Sequence, residues 1–154
     1  MHFFSKIVLI VSFTVAVEAC KCIPPNQQTA YCRSAWISHA KIIEKQILEN
    51  SIEYTVQHLE IFKNNTSPLS NKVLTPSSSA ACGVVNLIVG EEYLLSGYIN
   101  DETKTLKLSN CLYMPDNDLH HSGILTWSRV PTDLYQKLLK KDFKPCPINE
   151  TLRK

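Results

Sequence analysis

The sequence predicts a mainly β fold, a small closed or nearly closed barrel accompanied by one late helix. Three observations support this prediction: five or six short strand-like segments separated by polar turns, a single helical pattern near the end, and six cysteines in 154 residues. Closing the sheet on itself leaves no strand edge open to aggregation. The pattern by itself does not distinguish a barrel from a sandwich, so both architectures stay open.

The start of the chain has the pattern of a secretory signal peptide. Lys6 precedes an apolar run at residues 7–17, and Val17 and Ala19 place small side chains at the −3 and −1 positions of a cleavage site. The run has about half of the roughly 20 apolar residues that cross a bilayer as a helix. We therefore expect cleavage after Ala19 and a secreted, extracellular chain without a membrane span.

Charge and cysteine content narrow the function classes. Lys and Arg total 16 against 14 Asp and Glu, and the net charge of +2 is too small to indicate a nucleic-acid partner. Export to an oxidising compartment favours three disulfides, although six cysteines permit 15 pairings. Export also makes the Asn-X-Ser/Thr triplets that begin at Asn64, Asn65 and Asn149 candidates for glycosylation.

Hydrophobic spacing predicts the individual elements. Residues 34–49 fit either a bent strand or a helix, whereas residues 51–62 alternate as a half-buried strand. Further short strands are predicted at 72–75, 83–89, 92–99 and 104–108. Apolar side chains at helical spacing predict a helix over 131–143, with Thr132 or Asp133 as its cap.

The predicted mature N-terminus, which begins Cys20-Lys21-Cys22, is the sharpest chemical feature. The α-amine and carbonyl of a terminal Cys20 can close a five-membered chelate on a metal ion when the amine is neutral. An unperturbed α-amine has a pKa of about 7.7–8.0, so its deprotonation near neutral pH costs little. Disulfides at both cysteines, with Pro24 and Pro25 behind them, would hold the segment as a rigid ridge.

The same segment resembles the tissue inhibitors of metalloproteinases. Their mature amino terminus is similar to the run Cys20-Lys21-Cys22-Ile23-Pro24-Pro25 and the following Gln28-Thr29-Ala30-Tyr31-Cys32, and the resemblance continues through Ala81-Cys82-Gly83 to Cys146. It implies a netrin-like inhibitory domain at 20–146, which follows the predicted signal peptide at 1–19 and leaves a short tail at 147–154. The implied fold is a five-stranded OB-like closed barrel with associated helices. The implied disulfides are Cys20–Cys82, Cys22–Cys111 and Cys32–Cys146.

The resemblance implies an inhibitor and not an enzyme. Cys20 would bind, through its backbone nitrogen and oxygen, the catalytic zinc of a secreted zinc metalloproteinase, either a matrix metalloproteinase or a related enzyme. The target supplies that zinc, so the chain needs no cofactor of its own. Lys21 would enter the S1′ pocket, with Cys22, Ile23 and Pro24 continuing along the cleft. The remaining implied contacts with the protease are Ser79, Ala80 and Ala81.

Two departures from the family keep a second function open. Small hydroxyl residues are usual where Lys21 and Ala80 stand, and a lysine must either bury its ammonium group or extend it to a polar pocket floor. The alternative is a non-inhibitory netrin-like module that binds a receptor or a matrix component.

Two further groups of residues have ordinary explanations. The lysines near the C-terminus are more simply explained as a solvated helix face than as a polysaccharide site, and they are Lys137, Lys140, Lys141 and Lys144. The pair His120 and His121 is more simply explained as part of an exposed loop than as a metal site.

Overall fold

The computed structural model describes residues 20–65, 68–119 and 123–147, and a closed β-barrel lies at their centre. Its strands are β1 (Trp36–Ile47), β2 (Ser51–Asn64), β3 (Lys72–Pro76), β4 (Glu92–Ile99) and β5 (Leu106–Lys107). They pair in the ring β1-β2-β3-β5-β4-β1, in which the β3–β5 pair is parallel and the others are antiparallel. A short strand β6 (Leu125–Thr126) adds to β4 outside the ring. The predicted barrel is confirmed, and the sandwich is not formed.

In the described part of the chain, the helices α1 (Gln27–Arg33) and α2 (Thr132–Lys140) flank the barrel. The Asn26 side chain caps α1 by accepting a hydrogen bond from the Thr29 backbone N–H at 2.7 Å. The predicted cap of α2 is wrong, because the helix starts behind Pro131 without a side-chain cap bond. Pro131 occupies the N-cap position with φ −64° and ψ 144°, an extended conformation that proline adopts readily.

Alternation along β1 creates two apolar cores, one on each side of the sheet. Trp36, Ala40 and Ile42 belong to the cluster inside the barrel, whereas Ile37 belongs to the cluster between the barrel and the helices. The ambiguous segment 34–49 therefore forms the bent strand, with register shifts against β2 that mark irregularities in the pairing.

The strand predicted at 83–89 is wrong, because this segment has no regular secondary structure. Its backbone groups are bound one at a time by side chains instead of by a neighbouring strand. The Tyr54 hydroxyl donates to the Val84 carbonyl at 2.9 Å, and the Lys45 ammonium donates to the Val85 carbonyl at 2.7 Å. Val84 and Leu87 still enter the barrel core, which explains the apolar pattern. The strand predicted at 104–108 shortens to the two residues of β5.

His58 fastens the segment before β3 to β2. Its Nε2 lies 2.9 Å from the Ser70 carbonyl oxygen, so Nε2 carries the proton, and its Nδ1 accepts from the Ser38 hydroxyl at 2.8 Å. Burial lowers the pKa of His58 below its usual 6.5, and the bond to Ser70 opposes this effect in part. The folded protein therefore favours the neutral imidazole.

We expect stability to fall as the pH is lowered through the His58 titration. The folded-state pKa of His58 is depressed. Its contribution to the free energy of unfolding is therefore complete above about pH 6.5 and is lost as the pH falls through the folded-state pKa. Urea unfolding at a series of pH values between 7.5 and 5 measures it, with a slope from this one site of at most about 1.4 kcal/mol per pH unit. His58→Gln, which cannot titrate, should flatten the profile. An unchanged slope in that variant would assign the effect to other groups.

Among the described residues, no helix combines the length and the apolar character that crossing a membrane requires. Four features of the sequence lie outside the described residues: the signal peptide, the pair His120 and His121, the candidate glycosylation site Asn149, and the predicted tail apart from residue 147.

Candidate functional site

The candidate site begins with residues 20–24, which we call the ridge. It has no regular secondary structure and leads through the buried Pro25 into α1. Lys21, Ile23 and Pro24 are exposed, and Ile23 is 89% exposed. These three side chains are therefore available to a partner instead of to the core.

Two disulfides hold the ridge on the barrel. Cys20 is bonded to Cys82 with their Cα atoms 5.0 Å apart, and Cys22 is bonded to Cys111 with a Cα separation of 5.2 Å. The bonds span 62 and 89 residues of sequence, so the barrel fixes the position of the ridge. Both pairings are those that the resemblance implies.

The third disulfide, Cys32–Cys146, also follows the implied pairing, and it fastens α1 to the segment after α2 with a Cα separation of 5.3 Å. Two hydrogen bonds reinforce this attachment. The Gln28 side chain donates to the Lys144 carbonyl and accepts from the Lys144 N–H, both at 2.9 Å. The disulfide Cys32–Cys146 therefore secures α1, which follows the ridge in the chain, and does not hold the ridge itself.

The start of α1 is anchored by a buried glutamine. The Gln27 backbone N–H donates to an Asp118 carboxylate oxygen at 2.8 Å, and its side-chain amide donates to the carbonyls of Pro115 and Asp116 at 3.3 and 3.1 Å. These bonds tie the chain just behind the ridge to a segment 88 to 91 residues away. Sequence reasoning missed both α1 and this contact. An Asn26 cap before a short polar run is the signal that could have found the helix.

The second part of the site is a single 3-10 turn, Ser79–Ala81, beside the first disulfide. All three of its residues are exposed, and the Ser78 hydroxyl caps the turn by accepting from the Ala80 N–H at 3.1 Å. The turn ends at Cys82, whose φ of 62° is left-handed. Because Cys82 is bonded to Cys20, the structure brings the turn and the ridge to the same place.

Asn110 joins the two chain segments that hold the ridge. Its backbone N–H donates to the Cys82 carbonyl at 2.9 Å, and its side-chain amide donates to the Gly83 carbonyl at 2.6 Å. The next residue, Cys111, bonds Cys22. Sequence reasoning missed Asn110, because its partners are distant in sequence and no local motif marks it.

The charge and sulfur chemistry of the site is simple. Within the described part of the chain, Lys21 has no ion-pair partner, so its ammonium group is free to meet a partner's acidic or polar group. All six cysteines are in disulfides, and no free thiol is available as a nucleophile or metal ligand. The groups that the ridge offers to a partner are therefore its backbone groups and its exposed side chains.

Other residues singled out in the sequence are not part of the ridge or of the turn Ser79–Ala81. Asn64 and Asn65 are exposed at the end of β2, where a glycan would not meet the core. The lysines of α2 and its C-terminal flank are exposed except Lys137, whose ammonium group donates to the Gln27 side chain at 3.1 Å. Lys137 thus has a structural role in joining α2 to α1.

Comparisons with known proteins agree on one family. A family profile described as tissue inhibitor of metalloproteinase matches residues 18–122. The Caenorhabditis elegans protein named "Putative metalloproteinase inhibitor tag-225" is 32% identical, in a match that covers 90% of this chain and 97% of that protein. Metalloproteinase inhibitor 3 of Gallus gallus is 27% identical over 90 residues, and metalloproteinase inhibitor 2 of Homo sapiens is 26% identical over 110 residues. These matches cover 55% and 64% of this chain but only 42% and 49% of the two vertebrate proteins.

Proposed function

The chain belongs to the family of tissue inhibitors of metalloproteinases, and from this premise we propose that it inhibits secreted zinc metalloproteinases through its mature N-terminus. The family consists of inhibitors, and the chain is not an enzyme. The observation that supports the proposal best is the exposed ridge, fixed to the barrel at Cys20 and again at Cys22. A segment ordered before binding loses little conformational entropy when it enters a cleft.

The proposed mechanism uses the backbone of Cys20. Its neutral α-amine and its carbonyl oxygen chelate the catalytic zinc of the target and displace the water that occupies the open coordination position. Without that water the enzyme has no activated nucleophile for peptide hydrolysis. The disulfide to Cys82 supports this role, because it restrains the residue that carries both donor atoms.

The rest of the ridge and the turn would supply affinity and selectivity. In the proposed complex, Lys21 enters the S1′ pocket and Ile23 and Pro24 follow the cleft. The turn Ser79–Ala81 contacts the enzyme beside them, because Cys82 joins it to the ridge. Matrix metalloproteinases and related enzymes are the proposed targets.

The mechanism requires a processed terminus. We propose that residues 1–19 direct export and are removed after Ala19, that residues 20–146 form the inhibitory domain, and that residues 147–154 are a short tail. Zinc would come from the target, so the inhibitor carries no cofactor of its own. The proposed location is extracellular, where Asn64 or Asn65 could accept a glycan and acidic matrix polysaccharide could meet the lysines after α2.

Lys21 is expected to restrict the range of targets. Its exposed ammonium group has no partner in the chain, so an apolar S1′ pocket would have to desolvate it. Lys21→Thr should therefore strengthen inhibition of an enzyme with an apolar pocket floor by about tenfold, or about 1.4 kcal/mol. The same change should weaken inhibition of an enzyme with an acidic floor. Inhibition constants for the two enzymes measure this, with Lys21→Arg as the charge-preserving control. A parallel change toward both enzymes would contradict the assignment.

The proposal is tested by titrating the exported protein against a panel of zinc endopeptidases. Mass spectrometry first establishes that the chain starts at Cys20. One sample is then acetylated near pH 6.5, where the α-amine reacts in preference to lysines because its pKa is about 2.5 units lower. We expect inhibition before acetylation and loss of inhibition after it, with an unchanged circular dichroism spectrum. Inhibition that survives acetylation would overturn the zinc mechanism, and a protein that binds matrix but inhibits no panel member would be the netrin-like module instead.

A further inference from the structure

The two disulfides of the ridge lie side by side and bring four sulfur atoms into one cluster. The Sγ of Cys20 lies 3.4 Å from that of Cys22 and 3.5 Å from that of Cys111, and the Sγ atoms of Cys82 and Cys111 are 3.4 Å apart. All four Sγ atoms lie within 4.8 Å of one another, and each residue is partly buried. The cluster has the composition of a four-cysteine metal site whose ligands are joined in pairs.

Its dimensions match those of a tetrahedral zinc site. With a Zn–S distance of about 2.3 Å, the sulfur atoms of a regular tetrahedron are about 3.8 Å apart. Three of the four separations between the two bridges are already close to this value, and the fourth, between Cys22 and Cys82, is within 4.8 Å. Breaking each sulfur–sulfur bond would let its two sulfur atoms move apart toward the same spacing, with the Cα atoms 5.0 and 5.2 Å apart at the start.

The backbone that presents the sulfurs does not depend on the disulfides alone. Asn110 binds the carbonyls of Cys82 and Gly83, and the Cys111 N–H donates to the Ser109 hydroxyl at 3.1 Å. These bonds keep two of the sulfurs near each other in the absence of a bridge. Cys20 and Cys22 are separated by one residue, and the Gln27 contacts with 115–118 hold the chain just behind them.

We propose that reduction of these two disulfides creates a zinc site whose ligands are Cys20, Cys22, Cys82 and Cys111. A trialkylphosphine and one water molecule reduce each disulfide to two thiols, and the phosphine is oxidised to its oxide. The four thiols then lose four protons as their thiolates bind one Zn²⁺. Zinc replaces the covalent anchors, so the ridge stays on the barrel under reducing conditions. The α-amine of Cys20 is not a ligand, and zinc binding by the four sulfurs does not require that the chain inhibit a protease.

Cobalt substitution tests the site in the full exported chain. The protein is reduced with a trialkylphosphine under argon and titrated with Co²⁺, which reports tetrahedral thiolate coordination through visible d–d bands and a near-ultraviolet charge-transfer band. We expect one cobalt per chain, displacement by one equivalent of Zn²⁺, and a β-type far-ultraviolet circular dichroism spectrum in the zinc-bound reduced protein.

Paired variants separate this site from general thiol binding. The double change Cys32→Ser and Cys146→Ser leaves the four ligands in place and should keep the spectrum. The double change Cys22→Ser and Cys111→Ser removes two ligands and should abolish the tetrathiolate spectrum. Equal cobalt affinity in the two variants would overturn the proposal, and so would a reduced wild-type chain that binds cobalt without the charge-transfer band or stays unfolded when zinc is added.

Discussion

Adding one alanine between Ala19 and Cys20 is expected to weaken inhibition of a susceptible metalloproteinase by about a thousandfold, or about 4 kcal/mol, the effect of losing a central hot spot. The added residue turns the α-amine of Cys20 into an amide, whose nitrogen has no lone pair available for zinc. It also places an extra residue where the catalytic metal must approach. Inhibition constants for one enzyme, measured with both proteins, give the change directly.

The control for this extension is an alanine added after Lys154, which should leave the inhibition constant unchanged. Mass spectrometry must show that the extended protein begins with alanine, because a signal peptidase that cuts one residue later would restore Cys20 as the terminus. Stability should be equal in all three proteins, since both disulfides of the ridge remain. Unchanged inhibition by a chain verified to begin with alanine would rule out chelation by the Cys20 amine.

The parts of the fold that the sequence predicts are those with a strong local pattern. β2 and β4 were predicted because their apolar residues identify strands without reference to any partner. The segment 83–89 has a similar apolar content, but its backbone partners are the side chains of Tyr54 and Lys45, which no local pattern reveals. β5 is shorter than predicted, because it pairs with β3 and β4 over only two residues each.

The candidate site likewise has parts that could be predicted from a local sequence pattern and parts that could not. The ridge could be recognised because its cysteines and prolines are contiguous, and the resemblance implied its pairing with Cys82 and Cys111. The contacts that orient it could not be predicted. Asn110 acts on a turn 27 residues away, and Gln27 reaches Asp118 across 91 residues. Such contacts depend on the closed barrel, so they are visible only once the strand order is known.

Removing the disulfide Cys22–Cys111 is expected to lower both stability and inhibition, whereas removing Cys32–Cys146 should lower stability alone. Each serine pair should reduce the free energy of unfolding by about 2–5 kcal/mol, because each bridge closes a long loop, with separations of 89 and 114 residues. The first change also frees residues 22 and 23 to move before binding. Ordering two residues costs about 2 kcal/mol or more, which weakens inhibition by roughly 30-fold or more.

The second variant is the matched control, because α1 keeps other attachments when Cys32–Cys146 is absent. Tyr31 stacks on Phe143 with ring centroids 3.9 Å apart, and the buried Gln27 still binds Asp118. Urea unfolding gives the two stability losses, and active-site titration corrects each inhibition constant for the folded fraction. A change within threefold for the second variant and a roughly 30-fold loss for the first would identify preorganisation of the ridge as the source of affinity. Equal losses after that correction would mean that the bridges act only through global stability.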